Sequence, residues 1–281
     1  MERTAFSALS GTGEVAGWVA GEGLPAVLLH GGPGISYSYM DDAAAELIDS
    51  YRVVTFQQRG LPPSSEQGPF TIAQALLDIE AVLDHFGWER AYLVGHSWGG
   101  HLAFHAAVSL PHRLLGVLAV DPLGAVGDGA AASFGAEMES RMSEDNRRLA
   151  EELDARVRTR ERTEADVIEN FGLVWASYFA DPAHAPPVPA VRWSLPAHVG
   201  LWAEMEEALP RLEQALPRVD VPLGVLVGAA SPIPPQEAGL ASAERIPRAW
   251  AVTVPGAGHF VWFERPGCLL QAMDRLTNRT P

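Results

Sequence analysis

One hexapeptide constrains this chain more than any other stretch. Gly95-His96-Ser97-Trp98-Gly99-Gly100 stands between a short β-rich apolar run at 92–94 and an apolar helical pattern at 101–108. A serine among glycines at a strand-to-helix junction is a nucleophile elbow. The turn is so tight that its neighbours must be small, and the serine is forced into a strained backbone that lifts its hydroxyl off the sheet edge. The new helix behind it points its amide dipoles at any negative charge that develops there. Such a turn predicts a sheet whose strands alternate with helices.

The rest of the sequence supplies that alternation. Apolar runs at 26–29, 53–56, 92–94, 117–120, 223–227 and 249–254 are continuous rather than alternating, as strands covered on both faces require, so the sheet is expected to be mostly parallel and twisted. Between the second and third, Ile72, Leu76, Ile79, Leu83 and Phe86 fall at helical spacing behind Thr71, a fitting N-cap, and predict a crossover helix. Gly11-Thr12-Gly13-Glu14-Val15-Ala16 superficially resembles a dinucleotide fingerprint, but it has no strand before it and no helix after it, and reads as a hairpin-type turn.

After Asp121-Pro122 the rhythm breaks, and no strand is expected until 223. The interval opens with small residues at 124–135 and continues as a charged helical segment at 137–162. A second helical pattern at 164–180 carries Phe171, Trp175, Tyr178 and Phe179, and 181–189 is a proline-rich break. A third, 198–216, spaces Leu201, Trp202, Met205, Leu209 and Leu212 as an apolar stripe. The expected organisation is a core in two parts, 1–123 and 219–281, with a helical cap at 124–218.

A serine hydroxyl is a weak nucleophile at neutral pH and needs a base beside it. His259 is the candidate, because Pro255-Gly256-Ala257-Gly258-His259 follows the last strand and can bring an imidazole to the same sheet edge as Ser97. The oxyanion of a tetrahedral intermediate needs preorganised donors. Trp98 supplies the amide after the nucleophile, and His30-Gly31-Gly32-Pro33-Gly34 supplies another, with Gly32 preferred and Gly31 behind it. His101 and His105 stand four apart on one helix but lack the glutamate and third ligand of a metal site, so no metal is expected.

These motifs together, with Gln57-Gln58-Arg59-Gly60 and Gly258-His259, resemble the α/β-hydrolase superfamily, and its proline-iminopeptidase-like branch in particular. The resemblance spans essentially the whole chain, loosely in the cap. His-Gly-Gly-Pro-Gly is fairly specific to that branch, whereas Gly-His-Ser-Trp-Gly-Gly is shared by esterases, lactonases and C–C hydrolases. The chain order of serine before histidine is that of the superfamily. The resemblance implies an α/β-hydrolase fold and two-step acyl transfer through Ser97 and His259, without a cofactor. It implies an N-terminal prolyl peptide bond as substrate, with cap residues such as Glu204 or Glu207 on the substrate amine and Trp175, Tyr178 and Trp202 lining the pocket. An ester or lactone is an equal expectation, since caps are where such enzymes diverge.

Two positions depart from the family pattern. Gln57 stands where a carboxylate is usual, and Ser231, in Gly228-Ala229-Ala230-Ser231-Pro232, stands where the triad aspartate is usual. An imidazolium without a carboxylate is poorly stabilised and free to take the wrong tautomer. Asp121, at the end of the 117–120 strand, is the expected replacement; Glu237 is a remote alternative and Asp220 lies at the wrong edge. The missing acid also motivates a rival reading, a ligand-binding protein that keeps the pocket with little turnover.

Composition narrows the partners. Twenty Lys and Arg against 35 Asp and Glu give a net charge of −15, which repels nucleic acid and anionic membranes. A single cysteine, Cys268, excludes an intrachain disulfide, and no basic-then-apolar leader or long apolar run is present. The expectation is a cytoplasmic monomer or homodimer acting on a small molecule or short peptide. An acceptor-like Asn278-Arg279-Thr280 carries no weight without a secretory signal.

Overall fold

The computed structural model describes residues 2–158 and 161–278. Residues 159–160 of the predicted charged helix, and Arg279 and Thr280 of the acceptor-like tripeptide, lie outside them. Eight strands form one sheet: β1 (Thr4–Ser10), β2 (Gly13–Ala20), β3 (Leu24–Leu29), β4 (Tyr51–Gln57), β5 (Ala91–His96), β6 (Leu114–Val120), β7 (Leu223–Gly228) and β8 (Trp250–Val254). Their order is β1-β2-β4-β3-β5-β6-β7-β8. β1 and β2 are antiparallel, as are β2 and β4, and every other pairing is parallel. All six predicted strands are present. The hairpin β1–β2 turns at Gly11, which has φ +59°, in the segment read as a hairpin-type turn.

Helices cover both faces. α1 is Asp41–Ala45, α2 Ile72–His85 and α3 Trp98–Ser109; α2 and α3 share one apolar core with β5 and β6. The Thr71 side chain accepts from the Gln74 amide, so the predicted N-cap starts α2. Between β6 and β7 come α4 (Ala131–Arg141), α5 (Glu144–Val157), α6 (Glu164–Val174) and α7 (Leu195–Ala215). The charged segment thus divides in two at Met142-Ser143, where the Ser143 hydroxyl caps α5 by accepting from Asn146. α6 starts on a reciprocal box, Thr163 with Asp166, and gives way to a 3-10 turn at Trp175–Tyr178. α7 places Leu201, Met205 and Leu212 in the core shared by α2 and α3. The chain ends with α8 (Gly239–Glu244), α9 (Val261–Glu264) and α10 (Cys268–Thr277), whose buried Leu269, Ala272, Met273 and Leu276 form an i, i+3, i+4, i+7 stripe on the second face. Among the described residues no helix is long and apolar enough to cross a membrane.

The order of strands sets the place of the site. From β3 the chain moves outward to β4, then returns past β3 to β5, so the connections leaving β3 and β5 run to opposite sides. Crevices at such reversals, beyond the carboxyl ends of the strands, are where open α/β sheets hold ligands. Leu29 pairs with Gly95, and Gly95 with Ala119, in one row across the sheet. Two residues past that row stand Gly31, Ser97 and Asp121.

Candidate active site

Ser97 occupies the turn between β5 and α3 with φ 56° and ψ −120°, a left-handed backbone that a non-glycine residue adopts at a cost. Its neighbours explain how the turn closes. A Cβ on Gly95 would lie 2.1 Å from the carbonyl oxygen of Gly99, and one on Gly99 would lie 2.2 Å from that of Leu29. Only glycine lets α3 start this close to β3 and β5. The Ser97 amide donates to the Val120 carbonyl at 3.0 Å, which fixes the elbow to β6.

Ser97 and His259 line the same cavity, together with Gly31, Gly32, Tyr39, His96 and Phe260. His259 is buried, and its Nδ1 lies 2.5 Å from Oδ2 of Asp121, which is 1% exposed. Asp121 is itself held in a left-handed conformation, φ 43°. Its Oδ1 accepts from the Gly228 amide at 3.0 Å, and its Oδ2 also accepts from the Ser231 hydroxyl at 2.5 Å. Ser231 therefore meets the carboxylate that stands at the end of the neighbouring strand. Arg141 of α4 holds the same loop by donating to the carbonyls of Ala230 and Ser231.

Burial sets the protonation tendencies. It pushes the Asp121 carboxyl up, opposed by the Ser231 hydroxyl, the Gly228 amide and the Arg141 charge. It pushes the His259 imidazole down, toward its neutral form. With Nδ1–H directed at Asp121, the neutral ring keeps its lone pair on Nε2, the tautomer a base needs. The backbone of His259 is restrained too: its amide donates to the Tyr178 carbonyl at 2.7 Å, and the Tyr178 ring stacks on the imidazole at 5.2 Å.

The loop after β3 lies against the elbow. Gly32, with φ +116°, lines the cavity. The Gly31 amide donates to the Tyr39 hydroxyl at 2.5 Å and so is engaged. Trp98 follows Ser97 as the first residue of α3, where a backbone amide has no partner inside the helix. Its indole is turned away and donates to Gln58 Oε1. Gln57, in place of the expected carboxylate, has its amide nitrogen within hydrogen-bond reach of His30 Nε2 and the carbonyls of Ile35 and Gln58, and its Oε1 accepts from the Tyr37 amide. An amide satisfies that buried niche without a charge.

Trp175, Tyr178 and Trp202 line the cavity, together with Phe134, Phe171 and Trp193 from the same segment between β6 and β7. Glu204 is placed elsewhere: its carboxylate accepts from the Ile72 amide, at the positive end of α2, which draws it away from the cavity. Glu237 is exposed and takes the Ser133 hydroxyl. His101 donates from Nδ1 to the Gly124 carbonyl and accepts His105 Nε2 at its other nitrogen, a buried pair that ties α3 to the chain after β6. Tyr39 and His96 escape sequence reasoning. Tyr39 sits in an irregular stretch without periodicity, and His96 was visible only as a variable position of the elbow.

Comparison with known proteins bears on the family to which the chain belongs. A stretch of 97 residues, 34% of the chain, is 39% identical to epoxide hydrolase B of Mycobacterium tuberculosis, covering 27% of that protein. Another of 88 residues, 29% of the chain, is 39% identical to proline iminopeptidase of Lactobacillus crispatus, covering 30% of it. The chain thus matches less than a third of the length of either curated relative. The structure superimposes on a thermophilic esterase from Thermogutta terrifontis with TM-score 0.66 and 26% identity, covering 100% of this chain and 99% of that one. Residues 25–266 match the sequence profile described as the alpha/beta hydrolase fold. With that match spanning most of its length, the chain belongs to the alpha/beta hydrolase family.

Proposed function

We propose that this protein is a serine hydrolase that cleaves small, uncharged esters through an acyl-enzyme. The observation that carries the reading is the 2.5 Å contact of His259 Nδ1 with Asp121 Oδ2, in a cavity that Ser97 shares. Ser97 attacks the carbonyl, and His259 takes its proton and passes it to the leaving alcohol. The same imidazole then activates water to release the acid. Asp121 holds the tautomer and balances the imidazolium. The amides of Trp98 and Gly32 receive the oxyanion.

The cavity supports the substrate class. Among the described residues, none of its lining side chains is a carboxylate, a guanidinium or an ammonium. The substrate's N-terminal ammonium, which a prolyl peptidase must hold, would be desolvated here with nothing to pair it. The cavity is about 70 Å³, roughly half the ~150 Å³ that accommodates benzene in a dry apolar void, and suits a short acyl group. The likeness to the Thermogutta terrifontis esterase points the same way. We read residues 124–218 as a cap that supplies the aromatic walls, acting on a small molecule in a reducing compartment. The binding-protein rival rested on a missing acid, and Asp121 at His259 removes that motive.

Labelling with a fluorophosphonate tests the mechanism: Ser97 should label, and Ser97→Ala should not. A folded protein that never labels overturns it. For substrate, p-nitrophenyl acetate and butyrate should be turned over with kcat/KM far above that for the decanoate or for proline p-nitroanilide. A preference for the anilide would return the reading to the peptidases.

A further inference from the structure

We infer that Tyr39 is a positioning residue for this site, its phenol the centre of a one-way hydrogen-bond relay that ties the loop after β3 to the peptide group of His259. The inference rests on the serine-hydrolase reading. Three contacts make the relay. The Gly31 amide donates to the Tyr39 hydroxyl at 2.5 Å, that hydroxyl lies 2.9 Å from His96 Nδ1, and His96 Nε2 lies 3.0 Å from the carbonyl oxygen of His259.

The direction of every bond follows from what each group can do. A carbonyl only accepts, so His96 Nε2 carries a proton. In the neutral ring Nδ1 is then bare and accepts, so the phenol donates to it. The phenol oxygen is left to accept the amide of Gly31. Burial keeps both partners in these forms, pushing the His96 imidazole well below and the Tyr39 phenol well above their ordinary ranges. Nothing in the relay can reverse without stranding a buried donor, and bonds aligned in one sense polarise one another.

Its ends are the two parts of the site that must keep register. At one end Gly31 has its amide committed, which leaves Gly32 to face the cavity as the donor of that loop. At the other the carbonyl of His259 is fixed while its amide is fixed by Tyr178, so the peptide that carries the base is held on both sides. The Tyr39 ring is packed independently of its hydroxyl, stacked on Trp262 and edge-on to Phe260. Tyr39→Phe therefore removes the relay and keeps the shape.

The experiment compares wild type and Tyr39→Phe as full-length proteins, in p-nitrophenyl acetate turnover, fluorophosphonate labelling of Ser97, and ¹⁵N shifts of the His96 ring. The variant should lose about tenfold in kcat and in labelling rate, with KM within about twofold. Wild-type His96 should be the neutral ring protonated at Nε2, and in Tyr39→Phe it should become a mixture of tautomers. A purely structural tyrosine would change neither the split between kcat and KM nor the tautomer. Unchanged kcat and labelling in Tyr39→Phe, or a wild-type His96 protonated at Nδ1, overturns the relay while leaving the serine mechanism standing. Wild-type protein that never labels removes the mechanism, and the relay with it.

Discussion

His259 and Asp121, 138 positions apart in the chain, meet at 2.5 Å through Nδ1 and Oδ2, and the carboxylate arrives from the end of β6 rather than β7. The loop after β7 contributes a hydroxyl instead, Ser231 at 2.5 Å from the same oxygen. Charge and support have been divided between adjacent strands, which can be tested residue by residue.

Asp121→Asn should lower kcat for p-nitrophenyl acetate by about a thousandfold or more, because the amide favours the wrong imidazole tautomer and cannot balance the imidazolium. Ser231→Ala removes one neutral donor and should cost about tenfold or less. Steady-state kinetics on both variants decide the matter: comparable losses would mean that the hydroxyl carries more than support.

Stability should fall as pH drops below 6.5. Burial lowers His30 and His101 from 6.5 to about 4, so between those values the unfolded chain binds protons that the folded one refuses. Each contributes a loss of about 1.4 kcal/mol per pH unit in that window. His96 and His105, also lowered by burial, act in the same sense. His259, lowered by burial, acts in the same sense, and Asp121, whose carboxyl burial raises, acts in the opposite one. Urea midpoints at pH 7, 6, 5 and 4.5 measure it; a flat profile contradicts the buried neutral histidines.

Arg59 and Asp78 form a buried ion pair, each side chain 5% exposed, with Nε at 2.9 Å from Oδ2 and Nη2 donating also to the Ser10 carbonyl. It joins the β4 exit to α2 and the end of β1. Asp78→Asn leaves a guanidinium buried without its counter-charge and should destabilise by about 3–5 kcal/mol. Urea unfolding reads the loss, while kcat per folded molecule should stay at the wild-type value.

Two glycines should respond in opposite directions to the same change. Gly99→Ala drives a Cβ to 2.2 Å from the backbone of Leu29, and the elbow cannot absorb it, so the thermal midpoint should drop or the protein fail to accumulate. Gly135, exposed within α4, has nothing within 4 Å of the added carbon. Gly135→Ala should stabilise by about 0.5–1 kcal/mol through helix propensity. Differential scanning calorimetry of the pair gives both signs.

What could be read from the residues alone follows from where local chemistry decides structure. The central strands are covered on both faces, so β5 and β6 are apolar almost throughout and stand out. β1, with Phe6, Ala8 and Ser10 turned inward between exposed neighbours, alternates and yields no such run, and only its turn was visible. Ser97, His259 and Gly32 sit in glycine-rich turns whose composition is dictated by close backbone approach. Asp121 was reachable from the family pattern because Ser231 left a vacancy that a strand-end acid could fill. Glu204 shows the opposite: a helical residue's direction depends on rotation about the axis, and the end of α2 claims it. Tyr39 belongs to the site only through tertiary contacts.

The amide of His259 hangs from the carbonyl of Tyr178, at the end of a 3-10 turn that also lines the cavity. Any displacement of that 3-10 turn would pull a restraint off the very peptide that bears the imidazole. The imidazole is thus moored from outside the sheet as well as from within it.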